Sequence, residues 1–241
     1  MQALQKYTRL LGIDPQVFVQ AASIMKLRKP PNYDHVIYPE KRRFKMLEKT
    51  PENVPGTYKS AQPMQKRINL MRGPELTHNR ILYGDYAIQA MQGGRLKPMH
   101  VDNMRLLTIR KMDDKKTFAH WRIDAPWQAV PKKGLGVRMG GGRNTPKYYA
   151  IPIRARRILF EMGGHLEFAE VKPILQAVVD MLPFKARIVS RESLEALNKQ
   201  EELLEKMNQN PFTFQYGADN NLLGIQKWLS PYDYLWYGKF R

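Results

Sequence analysis

Two stretches of the chain carry apolar residues at helical spacing. Val101, Met104, Thr108 and Met112 recur three or four residues apart, with Pro98 in the position favoured for a first helical turn. Arg105 and Arg110 lie off that stripe and are expected to face outward. Phe168, Val171, Leu175, Val178 and Leu182 form a second stripe, which predicts a helix over 167–182. Pro173 should kink that helix or delay its regular start, and Pro183 ends it. Between and around the stripes the pattern changes to alternation. Residues 81–90 alternate loosely. Phe118 to Ile123 places Ala119, Trp121 and Ile123 on one face and His120 and Arg122 on the other. Strands are also predicted over 148–153, 157–162 and 185–191, with a basic turn at 154–156. Glu161, flanked by Phe160 and Met162, is expected to point outward. A last helix, from Ser193 to about Asn208, has leucines on one narrow face, as if packing on a neighbour.

The flanks are different. Residues 30–75 hold Pro30, Pro31, Pro39, Pro51, Pro55, Pro63 and Pro74 and keep no period, so they read as a poorly folded extension. Charge runs such as Lys41-Arg42-Arg43 would order only against a partner. The first 33 residues carry Lys6, Arg9, Lys26, Arg28 and Lys29 against a single acid, Asp14. That composition fits either a mitochondrial import segment or a basic arm lying on RNA. The tail beyond Pro211 is rich in aromatics, among them Phe212, Trp228, Trp236 and Phe240, which suit protein docking or base stacking. The expected division is an extension over 1–79, a core over 80–191, and a helix with an aromatic tail over 192–241.

Charge narrows the partner. Across 241 residues there are 40 Lys+Arg and 22 Asp+Glu, a net +18 that points to a polyanion. From Trp127 to Phe160 there is no acid at all. That run contains Gly140-Gly141-Gly142 between Arg138 and Arg143, with Lys132, Lys133 and Lys147 close by. Glycines let a backbone approach another surface closely, and the cations favour a phosphate array there. Arg95, Arg105, Arg110, Arg122, Lys132, Lys133, Arg138, Arg143, Lys147, Arg154, Arg156 and Arg157 are the candidate phosphate contacts.

Other chemistries fit poorly. Gly134-Leu135-Gly136 opens like a dinucleotide fingerprint, but Met139 stands at the third glycine position, and no Gly-Lys-Ser/Thr ending exists. The five histidines lack metal spacing, and there is no cysteine for thiolate ligation. No catalytic set assembles, and neither a metal nor a cofactor is expected. No apolar run reaches the roughly 20 residues of a membrane span. Three readings stay weaker than stable RNA association: an RNA chaperone acting on its own, a phosphate-binding enzyme, and a cationic membrane-surface protein.

Lys133 to Gly142 resembles the basic glycine loop of ribosomal protein sixteen of the large subunit. Gly94-Arg95-Leu96, Trp121-Arg122, Ile158 to Gly164 and Leu182-Pro183-Phe184-Lys185 fall in that family's order, so the resemblance covers about residues 80–191. Asn208 to Phe214 and Leu229 to Asp233 resemble the extension of its animal mitochondrial members. The resemblance implies an α+β core, with two helices packed on antiparallel strands, a long basic glycine loop, and extended N-terminal and C-terminal arms. It implies a structural, non-enzymatic constituent of the mitochondrial large ribosomal subunit, in the matrix. Its partners would be large-subunit ribosomal RNA, A-site tRNA and neighbouring mitochondrial ribosomal proteins. Arg95, Arg105, Arg110, Arg122, Lys132, Lys133, Lys147, Arg154, Arg156 and Arg157 would then hold ribosomal RNA. Arg138, Met139, Gly140, Gly141, Gly142 and Arg143 would face the peptidyl-transferase centre and A-site tRNA. Bacterial members alternate lysine and glycine after Arg-Met-Gly; here Gly141 replaces the first lysine.

Overall fold

The computed structural model describes residues 32–51, 68–140 and 146–240. The import segment considered for the N-terminus lies almost wholly outside them, as do Gly141, Gly142 and Arg143. The chain divides into a unit ending at His35 and a second running from Val36 to the C-terminus. In the first, the Asp34 amide donates to Asn32 Oδ1 at 2.9 Å.

Among the described residues seven strands form two antiparallel sheets: β1 (Tyr86–Ala90), β2 (Gly94–Leu96), β3 (Thr117–Trp121), β4 (Gln128–Pro131), β5 (Pro146–Ile153), β6 (Ile158–Gly164) and β7 (Ala186–Ser190). The larger sheet has the order β3-β6-β1-β7 and the smaller β2-β5-β4. Helices α1 (Pro98–Lys111) and α2 (Phe168–Val179) lie together on one face of the larger sheet. Val101 and Met104 of α1 and Val171, Leu175 and Val178 of α2 close there on Ile88, Phe160 and Met162. Both apolar stripes are therefore the inner faces of helices, and the expected α+β core with two helices on antiparallel strands is what forms. Pro173 falls inside α2, near enough to its start that few backbone bonds are lost.

The opposite face of the same sheet carries a second, smaller core of Ile81, Ala87, Ile158, Val189 and Leu194. Helix α3 (Arg191–Met207) packs there through Leu194 and Leu197, and its N-terminus is capped by Ser190 Oγ accepting from the Ser193 amide at 3.1 Å. Two short helices follow, α4 (Phe214–Asp219) and α5 (Pro231–Trp236).

Three sequence expectations need correction. The strand expected over 81–90 begins only at Tyr86; residues 81–84 instead cross the second face of the sheet. Glu161 does not point to solvent but is 0 % exposed beneath that crossing. Part of the extension expected to be poorly folded belongs to the core: Phe44 is 1 % exposed and stacks on Trp121 and Phe160 at centroid distances of 4.2 and 5.4 Å. One aromatic in a run of cations has no period, so pattern reading passes over it.

Candidate nucleic-acid interface

Strands β4 and β5 pair from Gln128↔Ala150 to Pro131↔Pro146, which puts residues 132–140 at the tip of a hairpin. Gly136 and Gly140 have φ of +81° and +112°, and a Cβ on either would meet nothing. Glycine is needed there for the turn itself, not for close packing within the fold. The Lys133 ammonium donates to Arg138 O at 3.1 Å and touches Met139 Sδ at 3.6 Å, closing a small ring at the tip. Lys132, Lys133, Arg138 and Lys147 are all exposed. So are Leu135 and Met139, at 106 % and 92 % of their full area. The tip thus presents apolar side chains beside its cations, a feature that charge counting alone overlooked.

The root of the hairpin is braced from the neighbouring strand. Arg95 on β2 donates through Nε to Gln128 Oε1 at 3.1 Å, and Gln128 is buried. Lys97 lies 5.7 Å from the Tyr148 ring centroid. Arg95 is therefore partly engaged in aiming the hairpin.

The other predicted cations fall into two groups. Arg110 is exposed at the last turn of α1. Arg105 is half-buried, its Nε donating to Phe44 O at 3.1 Å. By contrast, Arg122, Arg154, Arg156 and Arg157 are held within the fold. Arg122 Nε lies 3.0 Å from Glu161 Oε1 with a side chain only 9 % exposed, an ionic contact whose N–H is not aligned as a hydrogen bond. Arg154 donates to Asn69 O at 3.1 Å. Arg156, at φ +68° in the β5–β6 turn, pairs with Glu201 on α3, and its guanidinium lies 4.8 Å from the Phe240 ring centroid. Arg157 reaches Glu75 at 3.7 Å and Asp124 at 3.6 Å. Burial pushes the Glu75 carboxyl up, but the hydrogen bonds from Thr77 and the charge of Arg157 outweigh it and leave the group below its ordinary range. Arg156 and its neighbour Arg157 are thus matched with acids distant in sequence, and Arg154 with a backbone carbonyl, which no local count of charge could show.

Glu161 was the residue that sequence reasoning placed wrongly. Its carboxylate accepts from the backbone N–H groups of Leu82, Tyr83 and Gly84 at 3.1, 2.6 and 3.0 Å. Gly84 can approach because a Cβ there would stand 2.5 Å from Met162 O. The carboxylate pins the 81–84 crossing to the sheet, and Arg122 completes its neutralisation.

A cleft of about 480 Å³ opens between α3 and the tail, lined by Arg156, Glu201, Glu205, Trp236, Lys239 and Phe240 among others. Arg156 pairs there with Glu201 and Lys239 with Glu205, and Arg80 on its wall is offset by Glu202, so it offers an anion little net charge. Among the described residues no acidic or histidine cluster could hold a metal ion, and no helix is long and apolar enough to cross a membrane.

Comparison with known proteins agrees with the region these elements span. The description of ribosomal protein L16p/L10e matches residues 59–189. The chain is also similar to large ribosomal subunit protein uL16 of Coprothermobacter proteolyticus, 32 % identical over 121 residues, covering 50 % of this chain and 87 % of that protein. The same protein of Bifidobacterium adolescentis is 31 % identical, covering 50 % and 85 %. That of Oenococcus oeni is 32 % identical, covering 50 % and 82 %.

Proposed function

The chain belongs to the ribosomal protein L16p/L10e family, and from that footing we propose that it is a structural constituent of the mitochondrial large ribosomal subunit. In this reading the α+β core sits on large-subunit ribosomal RNA. The 132–145 hairpin reaches toward the peptidyl-transferase centre and the end of A-site tRNA, with Arg138 to Arg143 at its tip. The protein supplies charge and position; peptide-bond chemistry belongs to RNA.

The observation that carries the reading is the division of the cations. Within the acid-free run, Arg156 and Arg157 at the β5–β6 turn are matched by acids from elsewhere in the fold and Arg154 by a backbone carbonyl, while Lys132, Lys133, Arg138 and Lys147 project exposed on a braced hairpin. A braced arm ending in charge suits insertion among phosphates. Arg95, Arg105 and Arg110 complete the set proposed to lie on RNA. Arg122, Arg154, Arg156 and Arg157 could join only by exchanging the internal partners described above, so their part in RNA binding is proposed as secondary. The mitochondrial setting is supported by the basic, acid-poor N-terminal segment and by the flanking sequence on both sides of the family match.

The test is co-sedimentation. Native protein should migrate with large subunits through a sucrose gradient at moderate salt and with mitochondrial rather than cytosolic particles. Protein found only at the top of the gradient, bound to many RNAs, would show a chaperone acting outside the ribosome instead.

A further inference from the structure

The residues before the family match carry a cationic feature of their own. The chain from Tyr38 to Lys49 runs as an irregular strap fastened to the core by four hydrogen bonds and an ion pair. The Tyr38 hydroxyl donates to Lys116 O at 3.0 Å, and Arg42 donates to Lys115 O at 2.6 Å while lying 4.3 Å from the Tyr38 ring centroid. The Trp121 indole N–H donates to Lys45 O at 2.7 Å, and Arg105 Nε donates to Phe44 O at 3.1 Å. Phe44 is the buried anchor between them. Lys49 closes the strap with an ion pair to Asp102 at 2.8 Å.

These fastenings use Arg42 and Phe44 and leave Lys41, Arg43 and Lys45 exposed, alternating with the two anchors. Lys115 and Lys116, whose carbonyls hold the strap, are exposed beside it. The nearby acids are Glu40 before the three cations, Glu48 after them, and Asp113 and Asp114 in the adjoining turn, where Asp113 Oδ1 accepts from the Lys115 amide at 3.0 Å. Like charges this dense repel one another. Hydrogen bonds to the carbonyls of Phe44, Lys45, Lys115 and Lys116 nonetheless hold the strap and the turn together, and a polyanion lying on the five exposed cations would relieve their repulsion.

We propose that this strap and the 115–116 turn form a second phosphate-binding site, separate from the glycine hairpin, that grips the backbone of one RNA strand. Three cations within five residues span at most on the order of 14 Å, the reach of two or three successive phosphates. The site recognises backbone and not bases, because its side chains are lysine and arginine without an exposed aromatic among them. The proposal rests on the reading of the chain as an RNA-bound protein.

The experiment uses the full-length protein and a fluorescent A-form RNA duplex of mixed sequence, with affinity measured from 50 to 300 mM salt. The triple variant Lys41→Gln/Arg43→Gln/Lys45→Gln should lower the slope of log affinity against log salt by about 2 to 3. The charge-conserving Lys41→Arg/Arg43→Lys/Lys45→Arg protein should restore it. Trp121→Phe keeps every cation but removes the bond to Lys45 O, and should weaken binding several-fold at 150 mM salt if the strap must be fixed to act. A hairpin variant, Lys132→Gln/Lys133→Gln/Arg138→Gln, is run alongside. If the strap variant keeps the full slope while the hairpin variant loses it, the strap does not hold RNA and this inference fails alone. If neither variant loses slope, the reading of the whole chain as RNA-bound fails. Binding to phosphatidylserine vesicles that depends on the strap, with RNA binding untouched, would make it a membrane contact and overturn the proposal.

Discussion

Glu161 shows how one side chain can organise a face of the fold. A carboxylate with no exposed area is costly to bury unless its oxygens are hydrogen-bonded and its charge is paired. Three backbone N–H groups and Arg122 supply both conditions. Removing the carboxylate strands those donors and leaves the Arg122 guanidinium nearly buried without its counter-ion. Glu161→Ala is therefore expected to destabilise the protein by about 3–5 kcal/mol, read as a lower urea midpoint at an unchanged m-value. A loss below 1 kcal/mol would mean that water reaches the site and that the 81–84 crossing is held by packing alone. Alternation along β6 correctly put Glu161 opposite Phe160 and Met162. It failed on exposure, because the cover comes from residues about 80 positions earlier, and strand periodicity says which face a residue takes without saying what lies on it.

At the scale of elements, what could be read from sequence was what carries its own period. The stripes of α1 and α2 announced two helices, because each must bury a face several turns long. The long strands β5 and β6 and the basic turn between them were also legible. Strands β2 and β4 were not. They are three and four residues long, and they exist because β5 offers hydrogen-bonding edges on both sides. The strap was hidden for the same reason: it is defined by what accepts it, not by a pattern within it. The hairpin tip is the opposite case, legible because glycines and cations are unusual wherever they occur. Since the Lys133 and Arg138 side chains are exposed and, among the described residues, make no hydrogen bond or ion pair outside the tip, the described fold does not depend on them. Lys133→Ala with Arg138→Ala should leave stability within about 0.5 kcal/mol of the parent while impairing translation or late subunit assembly in cells. A clear fall in the melting temperature of the double variant would instead make the tip a structural element.

Across the whole molecule, charge and aromatic surface are partitioned. Residues 191–241 contain six basic and seven acidic residues, so the +18 excess lies entirely in the chain before them. The same segment exposes Leu203, Leu204, Met207, Phe212, Leu223 and Trp228. A nearly neutral, apolar arm on a strongly basic body has little to offer phosphates and is better suited to contact with protein. Beyond Met207 the arm reaches the body through Trp236, whose ring a Cβ on Gly73 would meet at 2.9 Å, and through its last residues. Phe240 lies over Arg156, a contact worth about 0.5–1 kcal/mol at a partly exposed site, and the Lys239–Glu205 pair is open to solvent and adds little. A chain ending at Met207 loses Lys227, Lys239 and Arg241 but also Asp219 and Asp233, a net change of one charge. It should still unfold in a single transition, a few degrees lower, since about 1 kcal/mol corresponds to roughly 2–4 °C in a protein of this size. Its salt dependence on duplex RNA should stay within about one unit of slope of the full chain. A larger loss of slope would mean that the arm itself lies on RNA, with its aromatics stacking on bases; loss of cooperative unfolding would mean that the arm belongs to the core.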